Sequence, residues 1–332
     1  MTAVRRIDAE KLLDGVRRGD ILVIARAITA VENSSTIGVE LALAVGGKHC
    51  RTLGVTGPPG AGKSSLINVL MAELLSRYRR IGVLTVDPSS PISGGAVLGD
   101  RVRMAAHSAN PDVFIRSLAT RGHLGGVTRT TRTVIDLLAT AGMDLVIVET
   151  VGTGQSEVEI AELTDVKIVV CAPGLGDEMQ AIKAGVLEIA DLLVVNKADL
   201  PDADRTTNHL KAMLHYGEHE ERRVVLKVST VKRDGLPALV LAIEAKFAEV
   251  PNSARTVATA KADPRQMLAR DVADLAAAWL RDDADPRIGK LAEGVARGAL
   301  SRRDGVMAAI RILGERASPN PVSDSDKSRS TS

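Results

Sequence analysis

A chain of 332 residues is long for one domain, so a large domain with appendages is expected. Lysine and arginine total 43 against 41 for aspartate and glutamate; this formal charge of +2, with 2% aromatics, gives no electrostatic or stacking case for a nucleic-acid partner. Two cysteines, Cys50 and Cys171, are too few for a disulfide framework and suit a reducing, cytoplasmic setting.

Arg5 and Arg6 are followed by no uninterrupted apolar core, and the best apolar run, Ile21 to Val31, is broken by Arg26. Neither a signal peptide nor a membrane span is expected. Residues 8 to about 48 mix charged and apolar positions at helical spacing, which predicts an N-terminal helical extension over 1–48. Short apolar runs then alternate with longer helical stretches, at 52–56, 81–86, 113–117, 145–149, 166–171, 191–195 and 224–228. That alternation predicts an α/β fold over 49–250, a mainly parallel sheet with helices on both faces.

The loop after the first run reads Gly57-Pro58-Pro59-Gly60-Ala61-Gly62-Lys63-Ser64, and Ser65 follows. It fits GxxxxGK[ST] in a strand–loop–helix setting, the context of a phosphate-binding P-loop. Backbone amides there converge on phosphates at a helix N-terminus, Lys63 is placed for the β/γ-phosphates and Ser64 for Mg²⁺. The second run ends in Asp87, on the edge of an α/β sheet where ligands bind, although a turn before Pro88 also favours Asp. The glycine-rich stretch after it, up to Asp100, is suited to a nucleotide-sensing segment.

The fourth run, Leu145-Val146-Ile147-Val148, ends in Glu149, with Gly152 three positions on. This follows the DxxG logic with one substitution: an acid on the metal side and a glycine amide for the γ-phosphate. Glutamate is one methylene longer than aspartate and suits contact through water. Gln155 does not directly follow the glycine, which predicts slow intrinsic hydrolysis.

The sixth run leads into Asn196-Lys197-Ala198-Asp199, an NKxD motif. The Asp199 carboxylate can accept from both donors on the edge of guanine, whereas adenine offers neither, a difference worth about 10⁴ or more in discrimination. Lys197 would lay its stem over the base, and Asn196 would tie the loop to its neighbours. Taken alone, Asp199 is equally compatible with a helix N-cap. Ser229-Thr230, after the seventh run, occupies the place of a loop that supports the base. The nucleotide expected is GTP, with GDP as product.

After Pro251 the strand-like runs stop. Leu268, Val272, Leu275 and Trp279 form one helical stripe, and further stripes cover Leu291 to Leu300 and Val306 to Leu313. This segment, 251–316, reads either as a helical flap or as an oligomerisation arm; residues 317–332 are Ser/Pro/Asp-rich and expected to be disordered.

Three stretches, VDPSSPISGGAVLGDRVRM (86–104), ETVGTGQSE (149–157) and PGLGDEMQAIKAG (173–185), together with the nucleotide motifs, resemble the MeaB/ArgK family of P-loop GTPases over about residues 10 to 315. Glu at 149 is part of that family's pattern. The resemblance implies Mg²⁺ surrounded by Ser64, Asp87, Asp100 and Glu149, and a homodimer through the C-terminal helices. It also implies a chaperone that uses GTP to gate adenosylcobalamin delivery to methylmalonyl-CoA mutase and to protect that enzyme. Asp177 to Lys183 looks like the family's extra switch, in which Lys183 supplies positive charge to the transition state; a solvated helix-face lysine is the plainer reading. Arg121 is a further phosphate or partner contact to weigh. Two other functions fit parts of the pattern. A nickel or cobalt metallochaperone GTPase would favour a CxxC or His-rich tract, but the cysteines are far apart, and His209, His215 and His219 lie in a stretch that reads as solvated. A kinase acting in amino-acid transport would favour ATP, against the NKxD motif.

Overall fold

In the computed structural model, which describes residues 9–46, 48–87, 107, 110–119, 126–150, 163–174, 190–215, 224–250, 264–282 and 285–317, the N-terminal stretch is three helices. The breaks follow local chemistry. After α1 (Ala9–Arg17), the Asp20 carboxylate accepts from the amides of Leu22 and Val23 at 2.9 and 3.2 Å and so starts α2 (Ile21–Glu32). Ser35 starts α3 (Thr36–Ala44) in the same way, accepting from the Gly38 amide at 3.2 Å. Such caps satisfy amide groups that the first helical turn leaves without partners.

The seven predicted runs all form strands: β1 (Arg51–Thr56), β2 (Ile81–Asp87), β3 (Val113–Ala119), β4 (Leu145–Thr150), β5 (Val166–Cys171), β6 (Leu192–Val195) and β7 (Val224–Lys227). They make one sheet in the order β3-β2-β4-β1-β5-β6-β7, and every pairing is parallel. Among the described residues, the helices that accompany the strands are α4 (Lys63–Leu74), α5 (Gly126–Thr140), α6 (Ala203–His215) and α7 (Leu236–Glu249). Strand β1 lies mid-sheet, between β4 and β5, so the loop that follows it opens beside the ends of both.

Strand residues alternate between the faces, and the core follows that period of two. Leu53, Val55, Leu145, Ile147, Val166 and Ile168 pack with Leu66, Leu70, Met71 and Leu74 of α4 and Leu239, Val240 and Ile243 of α7. Leu84, Val86, Val146 and Val148 face the other way. They pack with Val134, Leu137 and Leu138 of α5 and with Leu12, Val16, Ile24 and Ile28 of the N-terminal helices. The N-terminal helices thus share a core with the sheet. Arg116 on β3 reinforces this, its guanidinium pairing with Glu32 and reaching the Thr29 hydroxyl at 3.2 Å. Cys50 and Cys171 are buried in separate core clusters and form no disulfide.

At the start of β1, away from the P-loop, Arg51 donates to the Tyr78 oxygen at 2.7 Å and to Glu244 at 2.9 Å. The Tyr78 hydroxyl donates to Glu244 at 2.7 Å. The guanidinium also lies 5.2 Å from the Phe247 ring centre. This cluster joins the first strand to the segment after α4 and to α7. Burial, then the Glu244 hydrogen bond, pushes the Tyr78 phenol up to about 12.

The chain divides into two compact units, Met1–Asp263 and Pro264–Ser332. The second contains α8 (Pro264–Asp282), α9 (Pro286–Ala296) and α10 (Arg302–Ala317). Asp285 caps α9 and chelates Arg287, which also reaches Glu315 of α10 at 2.7 Å. No described helix is long and apolar enough to cross a membrane.

Candidate functional site

Four strand ends and one helix start build the site. The loop leaving β1 begins with Gly57 at φ +139, where a Cβ would lie 2.1 Å from the Val170 carbonyl oxygen of β5. It ends with Gly62 at φ +88, where a Cβ would lie 2.4 Å from Asn196 Nδ2. Both positions combine left-handed backbone with no room for a side chain, so only glycine fits without strain. Lys63 then opens α4. Its side chain is buried, and Nζ donates to the carbonyl oxygens of Gly57 and Pro58 at 2.7 and 3.1 Å. The ammonium is therefore held at the loop by carbonyl dipoles.

Glu149 reaches the loop because of strand parity. It shares a face with Leu145 and Ile147, which pack beneath α4, and it lies in register with Val55 of β1. From that position its carboxylate accepts from the Ser64 hydroxyl at 2.7 Å, and the residue is only 2% exposed. A hydroxyl has one proton and two lone pairs; with the proton given to Glu149, both lone pairs of Ser64 are left for other partners. An adjacent hydroxyl and carboxylate are the oxygen chemistry that suits a hard divalent cation. On the opposite face, Thr150 donates to Thr56 at 2.8 Å and fastens β4 to β1 just before both strands end.

The base-reading motif follows β6. The Asn196 amide donates to the Cys171 carbonyl at 2.8 Å, and its side-chain nitrogen donates to Ala61 O at 3.0 Å and Gly62 O at 3.4 Å. The NKxD loop is thereby fastened directly to the P-loop. Lys197 adopts φ +54, and Ala198 N donates to Val228 O at 3.0 Å. Asp199 is exposed, and its Oδ1 accepts from the buried Ser229 hydroxyl at 2.5 Å. That bond, with lesser help from the Lys232 charge, holds the Asp199 carboxyl below the usual carboxylate range. The Ser229 oxygen in turn accepts from Lys232 N at 3.1 Å, and Ser229 and Asp234 exchange backbone hydrogen bonds at 3.0 and 3.1 Å.

Lys63, Ser64, Glu149 and Asn196 are thus brought together around the loop 57–62, and Asp199, Ser229 and Thr230 sit beside one another one strand further across. Asp87 ends β2, opposite Ala119 of β3 and one residue past the Val86–Thr150 pairing. Asp100, Arg121, Gly152, Gln155, Lys183 and His219 lie outside the described residues. Among the described residues, no group of three or more His, Cys, Asp and Glu is placed to hold a metal.

Several contacts had no signal in the sequence. The hydroxyls of Thr85 and Ser117, in register on β2 and β3, lie 2.9 Å apart. The Thr56–Thr150 bond and the Lys232 amide contact are of the same kind. His107 Nε2 lies 3.0 Å from the Asn68 carbonyl oxygen of α4. All but the Lys232 contact, which spans three residues, join residues distant in the chain, and strand or helix periodicity is blind to such pairs.

Comparison with known proteins sets this geometry in a family. The family profile described as methylmalonyl Co-A mutase-associated GTPase MeaB matches residues 24–282. The chain is 39% identical to the GTPase ArgK of Escherichia coli K12, covering 69% of this chain and 72% of that one. It is 40% identical to the mitochondrial methylmalonic aciduria type A homolog of Mus musculus, over 57% of this chain and 50% of that one. A crystal structure of an LAO/AO transport system kinase superposes with a TM-score of 0.61 at 25% identity, covering 94% of this chain and 100% of that chain.

Proposed function

This chain belongs to the MeaB family of GTPases, and we propose that it uses GTP binding and hydrolysis to gate adenosylcobalamin delivery to methylmalonyl-CoA mutase and to protect that enzyme. The observation that supports the nucleotide part is the bond from Asn196 to Ala61, which ties the NKxD loop to the GxxxxGKS loop. The partner part is supported by the family to which the chain belongs.

Guanine would be read by Asp199, whose two carboxylate oxygens face the ring N–H and the exocyclic amine. Ser229 holds that carboxylate ionised, and Thr230 continues the loop beneath the base. Lys197 covers the ring with its stem. The loop from Gly57 to Ser65 would wrap the phosphates, with the backbone N–H groups of its residues other than Pro58 and Pro59 as donors. Lys63 exchanges its two carbonyl partners for β- and γ-phosphate oxygens. Ser64, Asp87, Asp100 and Glu149 would hold Mg²⁺, which offsets phosphate charge when bound. The Ser64–Glu149 pair fits this role, since the carboxylate already orients the hydroxyl's lone pairs. The Gly152 amide would contact the γ-phosphate. Lys183, brought in when the partner docks, would add positive charge where it develops in the transition state.

The C-terminal helices are proposed as the dimerisation arm. Leu268 and Val272 on α8 are 66% and 58% exposed, and Val306 and Ile310 on α10 are 52% and 55% exposed, an apolar surface a second copy would cover.

The test is steady-state GTP turnover, with ATP as control, with and without purified methylmalonyl-CoA mutase. Slow turnover specific to GTP that rises when the mutase is added is the expected result. GTP turnover indifferent to the mutase would overturn the partner while leaving the GTPase intact.

A further inference from the structure

Glu149 and Thr150 are neighbours on β4, so their side chains leave the sheet on opposite faces. On the α4 face the Glu149 carboxylate accepts from Ser64 at 2.7 Å, and on the other face the Thr150 hydroxyl donates to Thr56 at 2.8 Å. Thr56 directly precedes the loop 57–62, and Ser64 lies two residues beyond it. Both ends of the loop are thus tied to one dipeptide of β4. The ties fall where the strands part. Paired rungs of β1 and β4 run from Arg51–Leu145 to Val55–Glu149, and Thr56 and Thr150 stand one residue further on. Gly57 then turns against the Val170 carbonyl of β5, on the side of β1 away from β4.

The threonine pair is chemically out of step with its surroundings. Leu84, Val86, Val146 and Val148 make that face apolar, and Val86 is in register with Thr150 itself. Thr56 and Thr150 are each 3% exposed, yet both carry hydroxyls. Two valines would have the same branched outline and bury no polar group, so filling space does not call for the pair. We propose that Thr150 is a positioning residue of the GTPase: by bonding to Thr56 it sets the roll of the 149–150 backbone, and so where the Glu149 carboxylate stands relative to Ser64. The inference rests on the reading of Ser64 and Glu149 as holders of Mg²⁺. It assigns Thr56 and Thr150 no contact with nucleotide or metal.

Removing one hydroxyl leaves its partner buried and unsatisfied, whereas removing both exchanges a polar pair for an apolar one at little net cost. Stability and cation affinity can therefore be separated. Dissociation of a fluorescent GDP analogue is followed as Mg²⁺ is titrated into the full chain, against an EDTA baseline, and the thermal midpoint is recorded for each variant. Thr150→Val and Thr56→Val should each lower the midpoint. Each should also raise the Mg²⁺ concentration for half-maximal retention by about ten-fold, the low end of what outer partners of a metal site contribute. In the double variant the midpoint should return towards the wild type while the Mg²⁺ curve stays shifted. EDTA baselines should match throughout, and Thr150→Ser, which keeps the hydroxyl, should retain the wild-type curve. The proposal is overturned if the double variant's curve returns along with its midpoint, if nucleotide is lost equally in EDTA, or if Thr150→Ser titrates as Thr150→Val does. Glu149→Gln is run alongside. A shift for Glu149→Gln with none for Thr150→Val overturns the positioning role and leaves the cation reading standing, while no shift in either overturns both.

Discussion

Ser229 serves two partners with one hydroxyl, donating to the exposed carboxylate of Asp199 and accepting from the Lys232 amide. The first bond is the main reason the Asp199 carboxyl sits low, so guanine recognition should survive mild acid. Base binding needs the ionised form and is lost as pH falls through the folded pKa. Removing the donor with Ser229→Ala moves that pKa back up, towards about 3.9. Binding of fluorescent GDP, measured from pH 7 downwards, should then fail at higher pH in the variant, with a smaller difference at neutrality. A variant whose acid limb coincides with the wild type would show that the hydroxyl does not hold the carboxylate. Asp199 was legible in the sequence because NKxD is a local pattern. The double role of Ser229 was not, because its partner lies 30 residues away and the bond depends on how β6 and β7 end.

Among elements, the seven apolar runs were read as strands and all seven are, since short apolar runs alternating with helical stretches mark the strands of a parallel sheet even where, as in β7, the edge strand is partly exposed. Their order was not legible, because a crossover helix can return the chain to either side of a strand. The placement of β4 against β1, which brings Glu149 to Ser64, follows from that order. Two contacts between elements lead to predictions. Gly62→Ala would force a Cβ to within 2.4 Å of Asn196 Nδ2 from a left-handed backbone, straining the loop by about 1–3 kcal/mol and parting it from the base reader. Equilibrium binding should show about ten-fold or greater loss for GDP, whereas the thermal midpoint moves by only a few degrees. In the cluster of Arg51, Tyr78 and Glu244, Tyr78→Phe removes a half-buried hydrogen-bonded hydroxyl and should cost about 1–2 kcal/mol in urea unfolding at pH 8. The Tyr78 phenol ionises near 12 when folded against about 10 when unfolded, so its contribution is complete below pH 10 and declines as pH rises through that window. The gap between wild type and Tyr78→Phe should therefore narrow at pH 11; a constant gap would mean that the hydroxyl does not report the fold.

On the scale of the whole molecule, nucleotide binding and the C-terminal helices belong to different compact units. The nucleotide unit has cores on both faces of its sheet, one closed by α4 and α7 and the other by α5 and the N-terminal helices. A chain ended after Asp263 should accordingly keep GDP affinity within a few-fold of the full protein. Light scattering after gel filtration should find it monomeric and the full chain dimeric. A truncated chain that still dimerises would move the interface onto the first unit. The bond from Asn196 to the carbonyls of Ala61 and Gly62 carries one last implication. On the reading proposed, it makes the protein a calliper, with the group that would take the base held at a set distance from the loop that would take the phosphates. A ligand with both correct ends but the wrong distance between them, such as guanine joined to a phosphate by a longer tether, should be rejected as firmly as one carrying the wrong base.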